Sequence, residues 1–246
     1  MIRFDFSEKL IVVTGGTRGI GRAIAEAFLA AGGRVVVTYG SNATAAETFK
    51  TADSTGRLQT VQCDVSDYAA VETFFGDLED KGEALDILVN NAGIRRDSVL
   101  AMMSEDDWQR VLDVNLTGVY AMCKFAVQNM MRQRRGRIIT VTSPQREFGF
   151  QGQANYAATK AGVVGLTRSL SKEVAKRKIT VNCVSPGFVE TDLIKDLPEE
   201  QLKEYKKLVP LKRFGKTSEV SPVVLFLASD EASYVTGSVW DVNGGL

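Results

Sequence analysis

The sequence predicts an α/β protein of three layers, αβα, built on a doubly wound parallel sheet of seven strands. Three observations predict it. Short β-branched runs alternate with amphipathic stretches along all 246 residues, the pattern of parallel strands joined by crossover helices. The strand runs are almost wholly apolar, as in a sheet buried on both faces. The strand ends carry small polar residues or glycine, at the place where such sheets bind ligands.

Each element follows from the residues. "LIVVT" (10–14) is a buried strand. "RGIGRAIAEAFLAAGG" (18–33) sets Ile20, Ala23, Ile24, Ala27 and Phe28 on one helical face and closes on glycines. "RVVVTY" (34–39) is the second strand and "AAETFKTAD" a helix. "RLQTVQCDV" (57–65) is the third strand, "DYAAVETFFGDLEDKG" a helix, and "LDILVNNAG" (85–93) holds the fourth strand. Residues 104–135 read as one long helix, with Ser104 as N-cap and acids in its first turn. "GRIITVTS" (136–143) is the fifth strand, followed by a helix from "QANYAATKAG" to about Lys178. "ITVNCVSPG" (179–187) is the sixth strand, "SEVSPVVLFLASDEA" a helix, and "SVWDVNGG" a short seventh strand. No linker, charge block or repeat divides the chain, so 1–246 is expected to be a single domain.

Composition excludes several functions. Thirty basic residues balance thirty acidic ones, which argues against a dedicated nucleic-acid or membrane-surface binder. The chain has no histidine, so a His-based triad and a His-ligated zinc site are out, and no metal site is expected. Cys63, Cys123 and Cys183 stand apart with no CxxC pair and read as buried small apolar residues in a reducing compartment. No signal-peptide or membrane-length apolar run occurs, and a cytoplasmic location is expected.

"TGGTRGIG" joins the first strand to the first helix. Its spacing, Gly15-x3-Gly19-x-Gly21, differs from G-x-G-x-x-G, but the need is shared. A tight turn lets bare backbone approach a pyrophosphate, and the helix start supplies N–H groups and partial positive charge. A carboxylate at the end of the second strand would bind the ribose 2′-hydroxyl of NAD. The sequence there is "VVVTYGSN", with none. Arg18 in the glycine turn can pair with a 2′-phosphate, and Ser41 and Asn42 can add neutral donors. NADP(H) is therefore expected over NAD.

Tyr156 and Lys160 lie four apart, on one helical face. Lowering a tyrosine from a pKa of about 10 to about 7 takes roughly 4 kcal/mol. A positive charge about 4 Å away supplies that at an effective dielectric near 20. Lys160 is placed to be that charge. Alone, the pair is equally an exposed helix face.

The glycine turn, "NNAG" at 90–93, Asn115, Ser143, Tyr156, Lys160 and "PG" at 186–187 together resemble the short-chain dehydrogenase/reductase family, in this order and over essentially the whole chain. The resemblance implies a Rossmann-type fold and gives each residue a role. Tyr156 would protonate the substrate oxygen, Ser143 would position it, and Lys160 would lower the Tyr pKa and bind the nicotinamide ribose. Asn115 would hold a water leading from Lys160 to solvent. Gly15, Thr17, Arg18, Gly19, Ile20 and Gly21 would line the phosphates, and Asp64 and Val65 the adenine. Asn91, Ala92 and Gly93 would pass the adenine ribose, and Pro186, Gly187 and Thr191 would bound the nicotinamide.

Within the family the chain is most similar to the 3-oxoacyl-[acyl-carrier-protein] reductases of fatty acid synthesis, through "NNAGIRRDSVLAMMSEDDWQRVLDVNLTGVY", "GRIITVTS", "GQANYAATKAG" and "YVTGSVWDVNGG". This likeness implies NADPH, a 3-oxoacyl thioester substrate, a homotetramer and an acidic acyl carrier protein docking at Arg134 and Arg177. The same cations also suit helix C-termini. "PQREFGF" (144–150) departs from the group's small residues. Pro144, Arg146, Glu147, Phe148 and Phe150 are expected to border the acyl pocket. The departure leaves open a dedicated polyketide or secondary-metabolite ketoreductase, or another carbonyl/alcohol pair. A dinucleotide-binding subunit without turnover is a further alternative, opposed by the intact tetrad. Residues 188–215 are expected to form a mobile substrate lid, with a helix between Glu199–Glu200 and Lys206–Lys207.

Overall fold

A computed structural model describes residues 4–191 and 199–246. Seven parallel strands form one sheet in the order β3-β2-β1-β4-β5-β6-β7. They are β1 (Leu10–Thr14), β2 (Arg34–Tyr39), β3 (Leu58–Gln62), β4 (Ile87–Asn90), β5 (Gly136–Val141), β6 (Ile179–Pro186) and β7 (Val239–Val242). The order reverses between β1 and β4, whose central residues Val12 and Leu88 stand in register. That reversal opens a crevice at the carboxyl ends of the strands.

Helices cover both faces, as the apolar strands require. Alternate residues of β1 feed two separate cores: Leu10 and Val12 pack with Met122, Ala126 and Val163 on one face, and Ile11 and Val13 with Ile24, Phe28 and Val224 on the other. The first face carries α3 (Tyr68–Asp80), α5 (Gly118–Gln133) and α7 (Ala154–Val174). The second carries α1 (Gly19–Ala30) and α9 (Thr217–Ala228). The remaining helices are α2 (Ala43–Ala52), α4 (Glu105–Leu112), α6 (Gln145–Phe148) and α8 (Glu199–Leu208).

Three local features differ from the sequence expectation. The buried stripe of α1 is Ile24, Ala25, Phe28 and Leu29, so Ile20, Ala23 and Ala27 are only half-buried. The single helix expected over 104–135 is interrupted by a π turn at Asp113–Thr117, which separates α4 from α5. Asn115 sits in that turn, fully buried, and its carboxamide is bonded outside the helix, a recognised cause of such bulges. The short helix α6 was not expected at all; it is built from the departing residues after Ser143. Of the lid expected at 188–215, α8 is present where the charge pattern placed it, and residues 192–198 lie outside the described residues. No helix among the described residues is long and apolar enough to cross a membrane.

Candidate active site

One large cleft, of about 830 Å³, lies at the carboxyl ends of the strands, across the β1/β4 reversal. Its first half is made of backbone. Gly15 and Gly19 hold the left-handed region, at φ +59° and +56°, which an L side chain enters only with strain. The helix they start, α1, has no side-chain bond at its N-cap Arg18, so its first N–H groups remain available for an anion. Asn91 ties this turn to β4: its Nδ2 donates to the carbonyls of Thr14 and Gly15, both at 3.0 Å. Thr14 Oγ1 in return accepts from the N–H groups of Asn91 and Ala92, at 3.0 Å each.

Nearly every residue expected to hold a cofactor borders this cleft. Gly15, Thr17, Arg18, Gly19 and Ile20 do so from the glycine turn, and Ser41 and Asn42 after β2. Asp64 and Val65 do so after β3, and Asn91, Ala92 and Gly93 after β4. Pro186, Gly187 and Thr191 close the far side. Gly21 is the exception. It lies behind the wall, where a Cβ would sit 2.4 Å from Asn91 Nδ2 and 2.5 Å from the Gly15 carbonyl. Its smallness serves close packing of α1 against the turn. Asn42 caps α2 by accepting from Ala45 N–H at 3.0 Å, which leaves its amide N–H groups to face the cleft.

A dinucleotide fits what is present. The glycine turn is bare backbone at a helix start, and Thr38 Oγ1 at the end of β2 is buried with no partner among the described residues. No carboxylate occurs between Thr38 and Asn42, while Arg18 is exposed on the rim. Asp64 is occupied by Arg110 at 3.0 Å and by Ser66 at 2.7 Å. Burial pushes its carboxyl up, but the Ser66 and Arg110 bonds outweigh it and hold it below the ordinary range.

The second half is made of side chains. Ser143, at the end of β5, and Tyr156 and Lys160, one turn apart on α7, converge on the same wall. Lys160 is buried and donates to the Val141 carbonyl at 2.8 Å; its Nζ lies 5.5 Å from the centre of the Tyr156 ring. Burial pushes its ammonium down to about 8. Burial also moves the Tyr156 phenol upward, with the Ser143 hydrogen bond and Arg95 pulling the other way. Desolvation is the largest influence on the phenol, and the Lys160 ammonium is hydrogen-bonded to the Val141 carbonyl. Asn115 is not on the wall. Its Oδ1 accepts from Ile94 N–H at 2.8 Å and its Nδ2 donates to the Ile94 carbonyl at 2.9 Å, which fixes the loop after β4 beside Lys160.

The departing stretch splits. Pro144, Phe148 and Phe150 border the cleft as expected, but Arg146 and Glu147 do not. Arg146 turns inward instead, to an acid on β7 that sequence spacing gave no reason to pair with it. Phe150, Phe188 and Tyr205 stack in near-parallel planes, with Phe188 and Tyr205 4.7 Å apart; Phe150 and Phe188 border the cleft. Sequence reasoning also missed Gln145, Arg95, Arg110, Phe188 and Leu246 on the cleft wall. Only Gln145, two residues from Ser143, carried a signal that could have found it.

Comparison with known proteins agrees with this architecture. A family model described as "Enoyl-(Acyl carrier protein) reductase" matches residues 15–246. The 3-oxoacyl-[acyl-carrier-protein] reductase FabG of Salmonella typhimurium is 44% identical over 242 residues, 98% of each chain. That of Aquifex aeolicus is 45% identical over 240 residues, 97% of each chain. That of Escherichia coli is 43% identical over 244 residues, 98% of each chain. A solved structure described as a candidate gluconate dehydrogenase, from Agrobacterium tumefaciens, superposes with a TM-score of 0.92 at 32% identity, covering 99% of this chain and 98% of its own. With its parallel sheet, glycine turn and Ser–Tyr–Lys wall, the chain is an oxidoreductase and belongs to the short-chain dehydrogenase/reductase family.

Proposed function

We propose that the protein reduces a 3-oxoacyl thioester, borne by an acyl carrier protein, to the 3-hydroxyacyl thioester, using NADPH. The observation that carries this reading is the convergence of Ser143, Tyr156 and Lys160 on the cleft wall opposite the glycine turn. The reduced nicotinamide, when bound, supplies hydride to the carbonyl carbon. The Ser143 hydroxyl donates to the carbonyl oxygen and orients it. Tyr156 gives its phenolic proton to that oxygen as the C=O double bond becomes single. Burial holds the phenol in its protonated form, which is the form a general acid needs. The ammonium of Lys160, whose Nζ lies 5.5 Å from the ring centre, is a positive charge near the phenolate left behind and favours it. Reprotonation is read as running from solvent through a water held at Asn115 to Lys160.

Several features support the finer reading. Arg18 on the rim, with no acid after β2, favours the 2′-phosphate of NADPH. Arg134 is exposed at the C-terminus of α5 and with Arg177 offers cations to an acidic carrier. Tyr120 and Met131 are 47% and 39% exposed on α5, apolar surface that a homotetramer would cover. We read the chain as one cytoplasmic catalytic domain whose lid, 188–215, closes through α8. The Pro144–Phe150 stretch keeps a specialised ketoreductase as the second reading. Incubating the protein with NADPH and acetoacetyl thioesters, carrier-bound and free, tests the proposal through loss of nicotinamide absorbance. Steady consumption is expected; no turnover with any 3-oxoacyl thioester ends it.

A further inference from the structure

Two neighbouring side chains after Ser143 face opposite ways. The Arg146 side chain is 7% exposed and bridges three strands. It donates to the Ser143 carbonyl at 3.3 Å, to Ser185 Oγ on β6, and to both carboxylate oxygens of Asp241 on β7 at 3.1 Å. One guanidinium nitrogen serves both Asp241 oxygens while the other serves Ser143 and Ser185, so the planar group is held from two sides. It pins the first turn of α6 to the sheet, and so sets where residue 145 points.

Gln145 points into the cleft, on the same wall as Ser143 and Tyr156. Its carboxamide oxygen accepts the Ser143 hydroxyl, and its backbone N–H donates to Ser143 Oγ at 3.4 Å. The carboxamide NH2 bonds to no described residue, so two donors stand unspent beside the hydroxyl that meets the reacting oxygen. A carbonyl arriving at Ser143 draws the hydroxyl proton to itself and releases the carboxamide, which can then turn an N–H toward a second acceptor nearby.

We propose that Gln145 is a specificity-determining residue that donates a hydrogen bond to a second carbonyl oxygen of the substrate, placed 1,3 to the one being reduced. In a 3-oxoacyl thioester that oxygen is the thioester carbonyl, which lies alongside the ketone oxygen when both point the same way. The assignment rests on the 3-oxoacyl reading above. It makes Ser143 and Gln145 a two-point reader of a β-dicarbonyl, held in register by Arg146. A substrate without the second oxygen leaves the amide unpaired, and a site built for a polar group discriminates against analogues that lack it.

The test compares two substrates with NADPH and the full-length enzyme. One is the acetoacetyl thioester of N-acetylcysteamine. The other is the matching thioether ketone, in which a methylene replaces the thioester carbonyl. Gln145→Leu removes both halves of the carboxamide. Gln145→Glu keeps an oxygen for the Ser143 hydroxyl but loses the amide donor. The unaltered enzyme is expected to prefer the thioester, and both variants to shrink that preference in kcat/KM by about tenfold, the usual worth of one good hydrogen bond. The preference of Gln145→Glu should recover as the medium is acidified and its carboxyl regains a proton to donate. If Gln145→Glu keeps the full preference at neutral pH, or if both substrates fall by the same factor, Gln145 only supports Ser143 and the assignment is overturned. If the unaltered enzyme reduces the thioether but not the thioester, the 3-oxoacyl reading itself is overturned.

Discussion

The two halves of the cleft are built on different principles. The cofactor half is backbone: two glycines in the left-handed region, a third with no room for a Cβ, and an asparagine bonded to carbonyls. The substrate half is side chain: a buried lysine, a half-buried phenol, and a stack of rings contributed by the segment after α6, by α8 and by the segment after β6. Backbone geometry tolerates almost no change and serves any dinucleotide. Side-chain walls can be refitted without moving the sheet. One scaffold can thus keep its cofactor while its substrate changes, and the Pro144–Phe150 stretch supplies part of that side-chain wall.

Replacing residues on each side should separate the halves. The largest effect belongs to the substrate half: Tyr156→Phe should lower carbonyl reduction by about 10³-fold, near 4 kcal/mol, while NADPH still binds. Fluorescence titration of the cofactor beside turnover measurement checks this, and lost binding would place Tyr156 in the cofactor half instead. Lys160 comes next. Its folded-state pKa, about 8, lies below the ordinary 10.5. The unfolded chain therefore holds the proton through that window while the folded chain does not, and stability rises with pH there. The cost of burying the charge is in full force below pH 8 and relieved towards 10.5, by up to about 3 kcal/mol. In urea titrations, the stability of Lys160→Met relative to the parent should decline across this window; a constant difference would mean the ammonium is well solvated.

Gly21→Ala probes the cofactor half alone. Its Cβ would collide with Asn91 Nδ2 and the Gly15 carbonyl, and the shift should cost roughly 2–3 kcal/mol of stability and weaken NADPH binding. Unchanged binding would show that the turn yields easily. Asp241→Asn removes the whole charge of Arg146's partner on β7 and leaves only the exposed Glu147 as its counter-ion, and should cost about 2 kcal/mol in urea unfolding. Because Asp241 is itself partly exposed, the loss should fall short of a fully buried pair. The smallest effect is Arg18→Gln, expected to narrow the preference for NADPH over NADH by about tenfold without touching turnover at saturation. An unaltered ratio would move 2′-phosphate recognition to Ser41 and Asn42.

The cofactor half was legible in the sequence because its determinants are local. A glycine spacing between one strand and one helix, and "NNAG" at the end of another, state their geometry within a few residues. The strands were legible for the same reason: "LIVVT" and "RVVVTY" occupy the bounds read from them. The π turn at Asp113–Thr117 was not, since Asn115 leaves the helix pattern only because Ile94, 21 positions earlier, offers a backbone N–H and carbonyl. Arg146 read as a pocket residue for a similar reason. Its partner Asp241 is 95 positions away, and nothing in "PQREFGF" announces it.

The sequence by itself determined the alternation of strands and helices, the bare turn at the first helix and the spacing of Tyr156 and Lys160. Periodicity and glycine placement act through neighbours along the chain, so they can be read along it. Tertiary structure alone decided that burial raises the phenol, that the ammonium faces the Val141 carbonyl, that Arg146 turns to Asp241 and that Gln145 faces the cleft. Desolvation and long-range pairing depend on what the fold brings near, and that is set by packing across the sheet, not by order along the chain.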